Sequence, residues 1–123
     1  MKNQKNKKVY IGLTIDILHH GHINLINKAK KYGDLIVGLY TDKAVTANKQ
    51  LPLISYENRK KILQNIKGIK KIIPQKEWEY CNNLKKIKPD FMIHGDDWKF
   101  NEPKLRAKTL ETLKKIGTKL IEI

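Results

Sequence analysis

The order of apolar runs and amphipathic segments constrains the fold of this chain more than any single residue does. Short apolar runs predict five strands, at 8–13, 35–40, 70–73, 91–94 and 118–123. Helical spacing and helix-start residues between them predict helices at 22–32, 56–67, 79–87 and 103–116. Pro74 is expected to end the third strand. Strands that alternate with helices through short connections are typical of a parallel sheet. The sequence therefore predicts an α/β fold, a five-stranded parallel sheet with helices on both faces.

The length and composition indicate one domain. The 123 residues fit a single core, and a single cysteine, Cys81, excludes a disulfide framework within the chain. No apolar run is long enough for a transmembrane helix. The first eight residues are polar and basic, and the apolar run after them is too short for a signal peptide. We therefore expect a cytoplasmic protein.

The net charge of +14 raises the question of nucleic-acid binding. Lysine supplies 24 of the 26 basic residues, and these lysines are spread over the whole chain instead of forming one stripe. Such a distribution is a weak signal for nucleic acid, although a positive cleft attracts anionic small molecules. A nucleic-acid partner is therefore not favoured, and it stays open as an alternative.

The chemistry is expected in three loops. Ligands of open parallel sheets bind at the carboxyl ends of the strands, near the point where the strand order reverses. The loops that follow the first, second and fourth strands are 14–21, 41–54 and 95–102. These loops should therefore carry the functional side chains.

The first of these loops contains three of the four histidines, which are His19, His20 and His22 around Gly21. It has neither a GxGxxG nor a GxxxxGK[ST] pattern. A turn that ends at a helix N-terminus suits a phosphate, glycine allows close approach of the backbone, and imidazoles can donate hydrogen bonds to phosphate oxygens. A zinc site, and histidines that only cap and pack, are the alternatives.

Three segments then point to a family. The segment HHGH at 19–22 matches the HxGH signature of the nucleotidyltransferase superfamily, SYENRKKIL at 55–63 resembles the RK-bearing helix of cytidylyltransferases, and HGDDWK at 94–99 resembles their GDDW loop. Further segments look most like the phosphonate-pathway cytidylyltransferases, which are similar to glycerol-3-phosphate cytidylyltransferases: TDKAV (41–45), LPLISYENRK (51–60), NIKG (65–68), IPQ (73–75) and NLKKIKPD (83–90).

The resemblance implies a Rossmann-like domain that transfers CMP from CTP to a small phosphonate or phosphate monoester, with release of pyrophosphate. The acceptor that it favours is 2-aminoethylphosphonate. Glycerol 3-phosphate or phosphocholine as the acceptor, AMP transfer from ATP, and a non-catalytic nucleotide- or nucleic-acid-binding domain remain alternatives. The resemblance also implies a homodimer and Mg²⁺ that is held mainly by substrate oxygens, so no protein metal ligand is assigned.

The resemblance gives roles to residues of the first two loops. It implies that His19 and His22 hold the α-phosphate beside Gly21, and that Thr14 donates its hydroxyl group to phosphate. Lys49 would contact CTP and the acceptor, although Gln50 stands where the family often has a second basic residue. Arg59 would reach the CTP phosphates, because arginine offers a planar pair of donors and is rare in this chain.

The resemblance places the loop of Asp96, Asp97 and Trp98 at the cytosine and ribose. We expect Asp16 to support the histidine turn as a hydrogen-bond acceptor, and Arg106 to lie on the surface. Family members carry a further segment, RTxGIST or YTxGISST, after the last strand, and residues 1–123 do not include it. We expect these residues alone to bind phosphate more weakly than a chain that includes the segment.

Overall fold

A computed structural model of the chain describes residues 7–47 and 52–123. Its elements are β1 (Lys8–Leu13), α1 (His20–Ala29), β2 (Asp34–Tyr40), α2 (Asp42–Thr46), α3 (Tyr56–Gln64), β3 (Ile69–Gln75), α4 (Cys81–Ile87), β4 (Phe91–His94), α5 (Trp98–Asn101), α6 (Pro103–Ile116) and β5 (Lys119–Glu122). All neighbouring strands pair in parallel, in the order β3-β2-β1-β4-β5. The predicted five-stranded parallel α/β fold is confirmed.

Two apolar cores lie on opposite faces of the sheet. Side chains alternate along a strand, so Val9 and Ile11 of β1 join one core while Tyr10 joins the other. The first core includes buried residues of α1 and α3, such as Ile26 and Leu63, and the second includes buried residues of α2, α4 and α6. The prediction of helices on both faces is therefore confirmed.

The structure corrects some of the predicted boundaries. Pro74 does not end the third strand, because β3 continues to Gln75 with Pro74 in register with Leu39. The strand lies at the edge of the sheet, where the missing N–H of a proline is tolerated. Two short helices were not predicted, α2 and α5, which have five and four residues. The helix predicted at 22–32 begins at His20 and ends at Ala29.

The strand order reverses beside β1, which lies between β2 and β4. The three predicted loops follow the carboxyl ends of β1, β2 and β4, so they begin at the same end of the sheet. Within the described residues, no helix has the length and apolar character needed to cross a membrane.

Candidate active site

The turn after β1 has a strained backbone that neighbouring groups hold in place. Ile15 has φ of 49°, a left-handed conformation that is costly for a β-branched residue, and its side chain is buried in the core. The Asp16 carboxylate accepts a hydrogen bond from the backbone N–H of Ile54 at 3.0 Å. Hydrogen bonds from the backbone N–H groups of Ile54 and Leu53 lower the pKa of Asp16. The prediction that Asp16 supports this turn is confirmed.

Arg59 lies beneath the same turn and is 0% exposed. Its Nη1 donates to the carbonyl oxygens of Thr14 and Tyr40, both at 2.7 Å. Its Nε donates to Ile54 O at 3.0 Å, and its Nη2 bonds Asp42 at 2.7 Å. The guanidinium thus joins the ends of β1 and β2 to the starts of α2 and α3. Its contact with CTP phosphates stays a prediction, and in this structure every guanidinium nitrogen is already bonded within the protein.

His19 and His22 form a reciprocal cap at the start of α1. His19 Nδ1 accepts from the Gly21 N–H at 3.0 Å, and His22 Nδ1 accepts from the His19 N–H at 3.2 Å. A neutral imidazole that accepts at Nδ1 carries its proton on Nε2. Both rings therefore have a defined tautomer, with Nε2–H as a donor for a ligand.

The charge state of His22 suits the same role. Burial, and then the nearby His19, lower the pKa of His22, so its ring is neutral at pH 7. The two ring centroids are 4.1 Å apart, and a Cβ added at Gly21 would lie 2.8 Å from the His19 ring. Glycine at 21 therefore allows the ring of His19 to lie against the backbone, and both His19 and His20 are exposed.

The capping alternative for these histidines is confirmed at Nδ1, and it is compatible with phosphate binding through Nε2. The zinc alternative has no support here. Across 7–47 and 52–123, no cluster of three or more His, Cys, Asp or Glu side chains could hold a metal ion. Lys49 and Gln50 lie outside the described residues, so the role of Lys49 stays a prediction.

The loop after β4 has an exposed tip and a buried anchor. Asp96 and Asp97 are exposed, whereas Trp98 is 2% exposed. The Trp98 ring stacks on His94, with centroids 3.6 Å apart and an interplanar angle of 12°. Its Nε1 donates to Glu122 at 2.5 Å. The packing of Trp98 on a nucleotide stays a prediction, and one face of the ring is already covered by His94.

His94 is a site residue that the sequence reasoning missed. Its Nδ1 lies 2.8 Å from Gly95 O and must donate, so its Nε2 accepts from the Tyr80 hydroxyl at 3.2 Å. Burial lowers the pKa of His94, although Gly95 O and nearby carboxylates oppose this effect. As the last residue of β4, His94 could have been found from the rule that strand ends carry ligand contacts.

Side chains from these loops surround one cavity of about 450 Å³. Its wall includes Gly12, Leu13, Thr14, His22, Tyr40, Trp78, Tyr80, His94, Asp97, Trp98, Asn101, Glu102 and Leu105. The predicted residues Thr14, His22, Asp97 and Trp98 therefore meet at the same place. His19, Gly21, Arg59 and Asp96 lie next to this wall in sequence or structure but are not part of it.

The charge of the cavity wall differs from that of the whole chain. Among the described residues, neither lysine nor arginine lines the cavity, although the chain has a net charge of +14. The acidic side chains of the wall are those of Asp97 and Glu102. Tyr40, Trp78 and Tyr80 supply aromatic surface, with 5.1 Å between the Tyr40 and Trp78 ring centroids and 6.2 Å between those of Tyr40 and Tyr80. Burial raises the pKa of Tyr80 to about 12, and Glu102 contributes to the rise.

Comparison with known proteins identifies the class to which this fold and site belong. The sequence pattern of the cytidylyltransferase-like family matches residues 10–119. The chain therefore belongs to the cytidylyltransferase-like family and is an enzyme of the nucleotidyltransferase class.

Individual relatives agree with this assignment. The chain is 42% identical over 95 residues to a glycerol-3-phosphate cytidylyltransferase of Bacillus spizizenii, which covers 76% of this chain and 74% of the relative. It is 34% identical to an FAD synthase of Ferroglobus placidus, over 92% of this chain and 72% of the relative. It is 33% identical to an ethanolamine-phosphate cytidylyltransferase of Mus musculus, over 77% of this chain and 24% of the relative.

A solved structure of similar size shares the fold. It is a lipopolysaccharide core biosynthesis protein from Thermoplasma volcanium, with a TM-score of 0.80 and 28% identity. The match covers 97% of each chain. The Rossmann-like fold class is thus confirmed.

Proposed function

We propose that the protein transfers CMP from CTP to an acceptor that has an amino group at one end and a phosphonate or phosphate at the other. The best candidate is 2-aminoethylphosphonate. The observation that carries this choice is the cavity wall, which combines the aromatic rings of Tyr40, Trp78 and Tyr80 with the carboxylates of Asp97 and Glu102. Aromatic faces and carboxylates both attract the positive charge of an ammonium group, and the neutral hydroxyl groups of glycerol gain no such attraction.

The reaction is an in-line displacement at phosphorus. An oxygen of the acceptor attacks the α-phosphorus of CTP, a new P–O bond forms, and the bond to the β-phosphate breaks as pyrophosphate leaves. His19 and His22 would donate from Nε2 to the α-phosphate oxygens, whose charge rises in the transition state. Mg²⁺ would arrive on the triphosphate, held by substrate oxygens, and it would neutralise part of the charge of the leaving group.

The amino group of the acceptor would lie between Tyr40, Tyr80 and the Glu102 carboxylate. These three side chains line the same cavity. Burial is the main cause that raises the pKa of Tyr80, and the nearby Glu102 carboxylate adds to the rise. Ethanolamine phosphate, which a mouse relative is named for, carries the same ammonium group. The pocket supports an amine-bearing acceptor over glycerol 3-phosphate for this reason.

The test is pyrophosphate release from CTP or ATP with each of four acceptors: 2-aminoethylphosphonate, ethanolamine phosphate, phosphocholine and glycerol 3-phosphate. We expect CTP with 2-aminoethylphosphonate to give the highest kcat/KM. We also expect Glu102→Gln to lower kcat/KM for the amine-bearing acceptors at least tenfold, about the effect of losing one charged hydrogen bond. Equal or higher kcat/KM with glycerol 3-phosphate would refute the choice of acceptor.

AMP transfer from ATP is a second candidate, favoured by the similarity to an FAD synthase. The segments SYENR and GDDW favour CTP over ATP. The reactions with ATP in the same assay distinguish CMP transfer from AMP transfer, since equal rates with ATP and CTP would support adenylyl transfer. The homodimer, the cytoplasmic location and the absence of a nucleic-acid partner stay predictions.

A further inference from the structure

The end of β5 lies directly beside the loop that follows β4. Glu122 is in register with His94, Ile123 N donates to His94 O at 3.0 Å, and Asp96 N donates to Ile123 O at 3.1 Å. Glu122 is therefore held next to the GDDW loop by the sheet itself. Its side chain is 17% exposed and does not line the cavity.

The Glu122 carboxylate joins three elements through charged hydrogen bonds. Oε2 accepts from Trp98 Nε1 at 2.5 Å and from Arg106 Nε at 2.9 Å, while Oε1 accepts from Arg106 Nη2 at 3.0 Å. Lys99 Nζ lies 3.7 Å from Oε1. Arg106 was predicted to lie on the surface, and its side chain is 29% exposed. It also forms a two-pronged contact with the Glu122 carboxylate, which fixes direction as well as distance.

Besides the hydrogen bond from Asp96 N to Ile123 O and the backbone bonds within its own short helix, the GDDW loop is anchored by the buried side chain of Trp98. The helix α5 has only four residues, and its N-cap Asp97 makes no side-chain capping hydrogen bond. Trp98 is the buried part of the loop, and its ring is set by His94 on one face and by Glu122 at the indole nitrogen. A shift of the indole would move Asp97, the preceding residue, and would remove the stacking contact from the ring of His94, which Gly95 O and the Tyr80 hydroxyl also hold.

We propose that Glu122, oriented by Arg106, is a positioning residue that fixes Trp98, and through Trp98 the nucleotide-facing groups of Asp97 and His94. It acts through these residues and does not touch the ligand. The identity of the ligand as CTP rests on the proposed function. Hydrogen bonds from Arg106, and then from Trp98, lower the pKa of Glu122 to about 2, so the carboxylate stays ionised at all pH values at which the enzyme would work.

Two readouts on the full chain test this role. The first is the Nε1–H resonance of Trp98 in a nitrogen-correlated NMR spectrum, assigned with Trp98→Phe and compared with that of Trp78. The second is nucleotide affinity by calorimetry. Glu122→Ala and Glu122→Gln are the main variants, Arg106→Lys and Arg106→Ala test orientation, and Glu111→Gln is the control, because Glu111 forms an exposed ion pair with Lys115.

We expect Glu122→Ala to shift the Trp98 resonance and to weaken CTP binding at least tenfold, about the effect of losing a charged hydrogen bond. Glu122→Gln keeps an acceptor for the indole N–H but removes the ion pair with Arg106. Its CTP affinity should therefore fall less than that of Glu122→Ala. Arg106→Lys should retain more affinity than Arg106→Ala. Glu111→Gln should leave both readouts at wild-type values. All variants are compared below their unfolding temperatures, and Glu122→Gln remains informative if Glu122→Ala does not fold.

A shifted Trp98 resonance with wild-type nucleotide affinity would overturn the positioning role, because the contact would then be structural only. An unshifted Trp98 resonance in Glu122→Ala would overturn it as well. If the wild-type protein prefers ATP, and Glu122→Ala loses ATP affinity to the same degree, the proposed function fails while the positioning role is supported.

Discussion

Replacing Arg59 by alanine distinguishes two roles for this residue. The resemblance implies that Arg59 binds phosphate, whereas the structure shows it bonded to Thr14 O, Tyr40 O, Ile54 O and Asp42. In the variant, these three carbonyl oxygens and the Asp42 carboxylate would lose their donor. The protein without ligand should therefore become less stable.

The magnitude follows from burial. Removing one partner of a buried ion pair costs about 3–5 kcal/mol. Because the Asp42 side chain is 42% exposed, water screens the pair, and we expect the lower part of that range, about 3–4 kcal/mol. For a domain of this size, 1 kcal/mol corresponds to roughly 4 °C in Tm. Arg59→Ala should thus lower the Tm by about 12–16 °C.

The assay is thermal and urea unfolding of the protein without nucleotide, followed by CTP titration. Arg59→Lys keeps the charge but not the planar fork, so it should retain only part of the stability. Lys61→Ala, two positions along the same helix and exposed, is the matched control and should change stability by less than about 0.5 kcal/mol. A wild-type Tm for Arg59→Ala without ligand, together with lost CTP binding, would refute the structural role and support direct phosphate contact.

Three further predictions follow from the site. His19→Ala or His22→Ala should lower turnover at least ~100-fold, the scale of losing a transition-state donor. Each variant also loses one half of the cap of α1, which costs about 1 kcal/mol, so its Tm should fall by roughly 4 °C. His20→Ala removes neither cap contact and should change turnover little, whereas wild-type turnover in His19→Ala or His22→Ala would contradict their role. Because ligands stabilise by mass action, CTP should raise the Tm more than ATP does at equal concentration. Asp97→Ala should reduce the difference between the two Tm shifts, and an unchanged difference would exclude Asp97 from base selection. Folding lowers the pKa of His22 and His94 from the ordinary 6.5, so the unfolded chain takes up protons first as the pH falls. Stability should therefore decrease from about pH 7.5 to about pH 5.5, and His94→Gln should flatten that decrease; an unchanged slope would contradict burial of a neutral His94.

The strand and helix order could be predicted because each element has its own local pattern, and the two cores follow from alternation along the strands. The short helices α2 and α5 could not be predicted, because five and four residues are too few to show helical spacing. Pro74 was misjudged because edge position depends on strand order, which no local segment contains. The parts of the site that could be predicted are those with a sequence motif, which are the histidine turn and the GDDW loop. The positions of His94 and Glu122 depend on packing between β4, β5 and α6, which no motif shows.

The two arginines show that the type of a residue predicts which interaction it can make but not which group it interacts with. Arg59 and Arg106 are the only arginines beside 24 lysines, and the sequence associated one with phosphate and the other with the surface. In the structure both use a planar set of donors on protein oxygens, Arg59 on the ends of β1 and β2 and Arg106 on Glu122. A lysine ammonium could supply the same charge but could not fix direction at two acceptors at once. The site thus has an arginine behind the histidine turn and another behind the GDDW loop, and we infer that geometry, more than charge at the ligand, is what each contributes.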